Sequence, residues 1–466
     1  MSVDTTPEAT TDARIPHPAW RLPVLGDVLG INIRTPLQNS VSIGRELGPI
    51  FERNVLGNRF VFASGADMVA ELSDESRFAK HLAPGVKALR GIGGDGLFTA
   101  YNHEPNWGKA HNLLAPAFSQ TAMRSYHRTM LDVAGELVDH WDSRESDSPI
   151  DVSADMTKLT LETIGRTGFS YSFDSFEREE QHPFVKAMVG ALSHSQRTTF
   201  LKSTALGRVL ARRADQRDEV RKAYMAEVVD EVIRARRTNT EPGPEDLLEL
   251  MLRAARENDP NRIDELNIRH QVVTFLVAGH ETTSGALSFA LYYLSRNPDV
   301  LAKAQAEVDK VWEGEEPAFE KIAKLRYVRR VLDESLRLWP TAPAYGRAAL
   351  EDTTLVGKYP MKKGDWMLVL IPSLHRDPVW GNDPEAFDPD RFLPANIKAR
   401  PAHVYKPFGT GERACIGRQF AIHEAVLVLG TILQKYTIEA DPDYELKVAE
   451  RLTLMPEGFN LTVRRR

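Results

Sequence analysis

The chain carries one cysteine, Cys415, in the segment Phe408-Gly-Thr-Gly411-Glu-Arg413-Ala-Cys415-Ile-Gly417. Gly409 and Gly411 allow the backbone to turn with positive φ. Arg413 stands two residues before the sulfur, and Gln419 to Gly430 reads as a helix beginning just after it. A sulfur at the mouth of a helix, beside a cation, is held toward the thiolate form. With no second cysteine it can enter neither an intrachain disulfide nor a multi-cysteine zinc or iron–sulfur site. A single axial bond to a haem iron is the chemistry that needs only one thiolate.

A second group of residues interrupts an apolar helix predicted over 263–295. Ala278-Gly279-His280-Glu281-Thr282-Thr283-Ser284 puts a glycine and several polar groups in its centre, where they are locally unfavourable. Ala278 and Gly279 leave room for a small ligand near the backbone. The Thr282 hydroxyl can bond a backbone carbonyl or hold a water, and Glu281 can carry protons. The plain alternative is a polar patch with satisfied hydrogen bonds. A His-Glu-x-x-His zinc site fails because the fifth residue is Ser284.

Weaker signals accompany these. Glu334 and Arg337 form an i, i+3 pair, which contributes little on a surface. It matters only if buried with further partners, for which Arg391 is the candidate. Trp107 and His111 share a helix face and could donate hydrogen bonds to an anion, though core packing explains the pair alone. Gly91-Ile-Gly93-Gly-Asp-Gly96 matches a dinucleotide fingerprint only formally, since no strand precedes it. It reads as a flexible loop, followed by Phe98 as a candidate pocket residue. His375 and Arg376 read as solvated. The run Arg208, Arg212, Arg213, Arg217, Arg221, Lys222 alternates with acids and reads as a solvated helix face.

The elements that must position these residues are mostly helical. Periodicity predicts helices over 103–118, 122–143, 151–168, 207–237, 263–295, 297–313 and 321–338, with strands near 50–64, 365–371, 434–440 and 459–464. Residues 372–414 are rich in proline and predicted irregular, which inside a compact domain marks a functional segment. The 466 residues are 42% hydrophobic and carry a net charge of −6. That balance gives no support to nucleic-acid binding or to a membrane surface. No apolar run approaches the roughly 18 residues of a membrane span. Residues 1–17 read as a disordered lead-in, and cysteine usage fits the cytoplasm.

In this order and spacing the motifs resemble the cytochrome P-450 family of haem-thiolate monooxygenases. The Cys415 segment matches F-x-x-G-x-R-x-C-x-G at every fixed position, and Ala278 to Thr283 matches A-G-x-E-T-T. Glu334 and Arg337 match E-x-x-R, with Arg391 as third member. The resemblance covers residues 18–466 and implies a mainly α fold with small β-sheets and one bound haem b. It further implies Cys415 as iron ligand, with Phe408, Ala278 and Gly279 against the cofactor. Trp107, His111 and Arg413 would contact its propionates, and Thr282 with Glu281 would deliver protons.

Gly94 to Thr99, Leu276 to Gly285, Arg337 to Ala344 and Leu374 to Asp377 are further similar to the haem domain of bacterial self-sufficient fatty-acid hydroxylases. That implies insertion of one oxygen atom of O2 into a C–H bond of a long-chain apolar substrate over Phe98, Ala342, Pro343 and Leu452. Those enzymes fuse a reductase to this domain. Here the sequence ends at Arg466, so electrons are expected from a separate ferredoxin or flavodoxin with its NAD(P)H reductase. Lys109, Lys406, Arg413 and Arg418 are candidates for meeting an acidic partner. Where those relatives hold the substrate carboxylate with an arginine and a tyrosine, this chain has Asn58 and Phe62, and on a strand Arg59 faces the other way. Three rivals follow: a fatty-acid peroxygenase, which would share the fold but lack the acid–threonine pair present here as Glu281 and Thr282; a biosynthetic hydroxylase or epoxidase of a polyketide or terpenoid; and a non-enzymatic haem sensor needing neither Glu281 nor Thr282.

Overall fold

The computed structural model describes residues 14–145, 148–201, 205–238, 245–257 and 259–466. Its organising element is the helix Glu265–Arg296, started by the Asp264 side chain, which accepts the Asn267 N–H. Apolar residues surround this helix on most sides, so it is buried rather than amphipathic. Its widest packing is against Val152–Phe169, itself almost wholly buried. The hydroxyls in both helices are satisfied locally: Ser288 donates to the Ser284 carbonyl at 2.7 Å, and Thr160 donates to the His280 carbonyl at 2.9 Å.

The predicted helices are present, with boundaries set by proline and glycine. The expected 103–118 helix is Pro105–Leu114 followed by a tight turn Ala115–Phe118, because Pro116 cannot donate to the ladder. The expected 321–338 helix divides into Phe319–Ile322 and Arg326–Leu338. Helices Pro36–Leu47, Pro183–Leu201 and Leu247–Arg256 are additional. The strand expected from 434 starts at Tyr436, since the helix Arg418–Lys435 runs on until then. Among the described residues no helix is long and apolar enough to cross a membrane.

A five-stranded sheet has the order Ile50–Val55, Asn58–Ala63, Trp366–Leu370, Ala344–Ala349, Phe78–His81. Its first two strands form an antiparallel hairpin in which Arg53 pairs with Phe60 and Val55 with Asn58. A smaller sheet joins Ile150–Asp151, Asn460–Arg465 and Tyr436–Ala440.

Two expectations change here. The segment 372–414 contains short helical turns at Pro378–Trp380, Pro389–Phe392 and Pro394–Ala399, each opened by a proline at its first position. The glycine run at 91–96 is not a flexible loop. Arg90–Gly93 makes a helical turn, and the glycines after it press on the central helix. A Cβ on Gly94 would lie 2.0 Å from the His270 ring, and one on Gly96 would lie 2.4 Å from Thr274 Oγ1.

In the basic run, Lys222 pairs with Asp218 at 3.0 Å while Arg212 and Arg217 are exposed; the side chains of Arg208 and Arg213 lie outside the described residues. Of the lead-in, residues 1–13 lie outside them too, and the Pro16 carbonyl accepts the Glu52 N–H at 2.8 Å.

Candidate functional site

The cysteine loop is shaped by its glycines. Gly409 and Gly411 have φ of 76° and 66°, which folds the chain so that the Cys415 N–H donates to the Phe408 carbonyl at 2.9 Å. Gly417 then caps the helix Arg418–Lys435. Cys415 has free surface although protein surrounds it, so the sulfur faces a hollow within the fold. Burial pushes its thiol above the ordinary value, with the Gly417 N–H and Arg418 pulling back only in part. In the protein alone, burial thus outweighs the pull of the helix mouth and loop on this sulfur. Arg413 is also not the cation acting on it. It turns to the Ala100 carbonyl at 2.8 Å and to Asn102 Oδ1 at 3.0 Å.

The central helix opens on one face only. Ala278 is exposed and Gly279 and Thr282 are half-buried, while His280, Glu281, Thr283 and Ser284 between and beside them are buried. The i, i+1, i+4 spacing makes this one patch on the helix. Thr282 Oγ1 donates to the Ala278 carbonyl at 2.9 Å, so the hydroxyl is tethered within that patch. Glu281 points elsewhere, toward Arg451 at 3.4 Å. Burial raises its carboxyl and Arg451 opposes the rise. Phe118 joins the two halves of the site: its ring stacks on Phe275 of the central helix at 5.5 Å and approaches Gly417.

The rim holds cations that lack acids. The rings of Trp107 and His111 stack at 5.0 Å, and the Arg413 guanidinium lies 4.6 Å over Trp107. Lys80, on the strand Phe78–His81, donates to the Phe98 carbonyl at 2.5 Å. Desolvation pulls Lys80 down to about 7, with Arg413 adding repulsion, and pulls Arg413 down to about 10. Among the described residues neither cation has a carboxylate in ion-pair contact. Two desolvated, mutually repelling cations are unfavourable until an anion lies between them. The paired propionates of a haem supply such charge, and together with the lone sulfur this donor set fits that cofactor. Lys80 was missed in the sequence; the readable signal was a lysine inside a short strand, a position where a charge has to find a partner.

The Glu334–Arg337 pair is fully buried. Arg337 holds Glu334 through Nε and Nη2, both at 2.7 Å, and donates to the carbonyls of His375, Pro384 and Ala386. Arg391 completes the group, its Nε 3.5 Å from Glu334 Oε1. His375 and Arg376 are not solvated as expected. His375 has no exposed surface, and Arg376 donates to the Leu338 carbonyl at 2.9 Å.

A largely apolar cavity of about 160 Å³ has Phe62, Leu89, Leu192, Pro343 and Leu452 in its wall. Phe98 and Ala342, expected beside them, are not part of that wall. Phe98 is instead tied to Lys80. Asn58 is exposed at the start of its strand, its Nδ2 donating to the Val55 carbonyl at 3.1 Å. Arg59 does face the other way, onto Glu52 at 2.7 Å. The proposed docking cations also thin out: Lys406 is buried, its Nζ donating to Thr410 Oγ1 at 3.0 Å, and Arg413 is turned inward.

The model of the cytochrome P450 family matches residues 16–463. A bifunctional cytochrome P450/NADPH–P450 reductase of Bacillus subtilis is 47% identical over 426 residues, covering 91% of this chain and 40% of that protein. A bifunctional cytochrome P450/NADPH–P450 reductase of Bacillus cereus is 45% identical, covering 96% and 42%. A self-sufficient cytochrome P450 monooxygenase of Phanerodontia chrysosporium is 39% identical, again over 96% and 42%. The chain thus spans about two fifths of the length of these relatives. With the fold, the lone sulfur and the acid-free cation rim agreeing, the chain belongs to the cytochrome P450 family, the haem b oxidoreductases of the monooxygenase class.

Proposed function

We propose that this protein inserts one oxygen atom of O2 into a C–H bond of a long-chain apolar substrate, a fatty acid or a derivative of one. The apolar cavity bounded by Phe62, Leu89, Leu192, Pro343 and Leu452 carries the reading, because its wall suits an extended alkyl chain. Residues 18–466 act as one haem-thiolate domain, working in the reducing cytoplasm.

Cys415 would hold the haem iron, with the Gly417 N–H moderating the charge on sulfur. Trp107, His111, Arg413 and Lys80 would take the propionates. Phe408 would pack on the cysteine side, and Ala278 and Gly279 leave the opposite side uncrowded. Bound there, haem supplies the activation of O2 that no side chain can. Thr282 offers a hydroxyl on the open face of the central helix and can rotate from its Ala278 tether to guide a proton. Glu281, whose carboxyl burial raises above its ordinary value, is suited to replenish that proton, with Arg451 holding its carboxyl in place. Electrons come from a reduced ferredoxin or flavodoxin served by an NAD(P)H reductase; exposed Arg418, at the head of the helix behind the sulfur, suits an acidic donor.

The test is the absorption spectrum of the reduced carbon monoxide complex, followed by a spin-state titration with fatty acids of varied length, a polyketide set and a terpene set. A thiolate-type red-shifted band, lost in Cys415→Ala, and a shift with the fatty acids are expected. A histidine-type band overturns the haem-thiolate assignment; a shift with only the polyketides or terpenes overturns the substrate class.

A further inference from the structure

The glycine run Gly91 to Gly96 is tied to the central helix by polar side chains. Asn267, His270 and Gln271 stand at i, i+3 and i+4 on that helix, share one face, and all reach residues 95–97. Asn267 Nδ2 donates to Asp95 Oδ1 at 2.8 Å, and Gln271 Oε1 accepts the Leu97 N–H at 3.0 Å. Gln271 Nε2 donates to Asn267 Oδ1 at 2.8 Å, which closes a buried ring of hydrogen bonds. His270 is half-buried and stands outside that ring. Its Nδ1 lies 2.7 Å from Asp95 Oδ1, and its imidazole fills the space that a Cβ on Gly94 would take. Asn106 Nδ2 donates to Asp95 Oδ2 at 2.7 Å. Burial pushes the Asp95 carboxyl up, but the bonds from Asn106, His270 and Asn267 outweigh it and hold it below its ordinary value. The carboxylate only accepts, so Nδ1 of His270 donates.

This clamp lies at the edge of the open patch. His270, Thr274, Ala278 and Thr282 follow at four-residue steps along one ridge of the central helix. The glycine segment covers the first two, Gly94 on His270 and Gly96 on Thr274, and stops short of Ala278 and Thr282. From there the chain crosses to the rim, where Lys80 holds the Phe98 carbonyl and Arg413 holds the Ala100 carbonyl. The half-buried Phe98 ring is thus carried on a span fixed to the central helix at one end and to the rim at the other. The buried Asn267–Gln271 ring keeps the span on the helix. His270 adds the hold on Gly94 and Asp95 that fixes how close the span sits.

We propose that His270, acting through Asp95, sets where the Phe98 ring lies beside the open face of the central helix, and so determines which carbon of an apolar substrate is oxidised. His270 is then a positioning residue, and the inference rests on the substrate class proposed above. The test compares wild type with His270→Leu, with His270→Asn, whose amide N–H stands where Nδ1 does, and with Asp95→Asn, which keeps the shape without the charge. Arg269→Gln is the control, since Arg269 turns away to Asp230, its Nε at 2.7 Å. Haem-loaded protein is supplied with palmitate, a flavodoxin, its reductase and NADPH, and the ratio of positional hydroxypalmitates is measured. The affinity ratio of 4-phenylimidazole to imidazole is read in parallel from the haem spectrum. His270→Leu and Asp95→Asn are expected to change the product ratio about three- to tenfold in the same direction, with His270→Asn and Arg269→Gln within about twofold of wild type. An unchanged ratio in His270→Leu, or in Asp95→Asn should His270→Leu not fold, overturns the positioning role and leaves the substrate class standing. Products scattered as widely by His270→Asn as by His270→Leu overturn the part played by the Nδ1 bond. Wild type that neither oxidises palmitate nor shifts its spin state with it overturns the substrate class. The azole ratio then decides the positioning role alone, by the same margins.

Discussion

The His375 imidazole joins the buried ion pair to the cysteine loop: Nε2 accepts the Lys406 N–H at 2.9 Å, and Nδ1 donates to the Arg337 carbonyl at 3.0 Å. The accepted N–H requires Nε2 to be unprotonated, which leaves the proton on Nδ1 and the ring neutral. The strand of chain that leads into Phe408 is thus anchored two steps from Glu334.

Removing the charge at Glu334 should be severe. Glu334→Gln leaves Arg337 and Arg391 without an acid in a dry interior, and stability is expected to fall by about 3–5 kcal/mol. The urea midpoint measures this. Asp352→Asn, on the exposed pair with Lys362, should change nothing measurable.

Acid should unfold the protein through its buried imidazoles. His375 is pulled down to about 3, and His280 and His423 to about 4, in each case chiefly by burial. Folded values below the unfolded one of about 6.5 mean that this stability is present above pH ~6.5 and is lost as pH falls toward 3–4. The melting temperature is therefore expected to drop steadily from pH ~6.5 downward. A flat profile down to pH ~4.5 would contradict neutral buried rings.

Glu424 acts in the opposite direction. It lies buried on the helix behind Cys415 with no charged partner among the described residues, and burial, opposed only by Thr163, pushes it up to about 8. Its folded value exceeds the unfolded one, so the neutral acid is favourable at low pH and becomes a liability as pH rises through 8. Glu424→Gln should match wild type near pH 4.5 and exceed it by a few kcal/mol, on the order of 2–4, at pH 8.5. Thermal melts at the two pH values give the comparison.

Lys80→Met separates apoprotein stability from cofactor retention. Without haem the change removes a desolvated cation repelled by Arg413, so the apoprotein should gain about 1 kcal/mol or more. With haem it removes a propionate partner, so haem transfer to an acceptor globin should speed up several-fold. Parallel losses in both assays would point to packing around Phe98 instead.

Thr282→Ala keeps the helix and the cavity but deletes the tethered hydroxyl. NAD(P)H consumption with a redox partner should persist while product per reducing equivalent falls and peroxide rises. Unchanged coupling would remove Thr282 from proton delivery.

The chemistry-bearing motifs were legible because each is local: loop glycines, a lone sulfur and an interrupted helix fall within about ten residues, and spacing along one element is what periodicity reports. The burial of His375, the inward turn of Arg413 and the presence of Lys80 at the rim were not, because each depends on segments far apart in the chain.

The sequence by itself determined that one thiol, one polar break in a core helix and one Glu334–Arg337 pair would sit in a mainly α fold. Only the tertiary structure decided what charge each keeps. Burial raises the Cys415 thiol where a helix mouth alone would lower it, and leaves Lys80, Arg413 and Arg53 desolvated with no carboxylate in ion-pair contact among the described residues. Desolvation is a property of everything packed around a group, so no count along the chain could supply it.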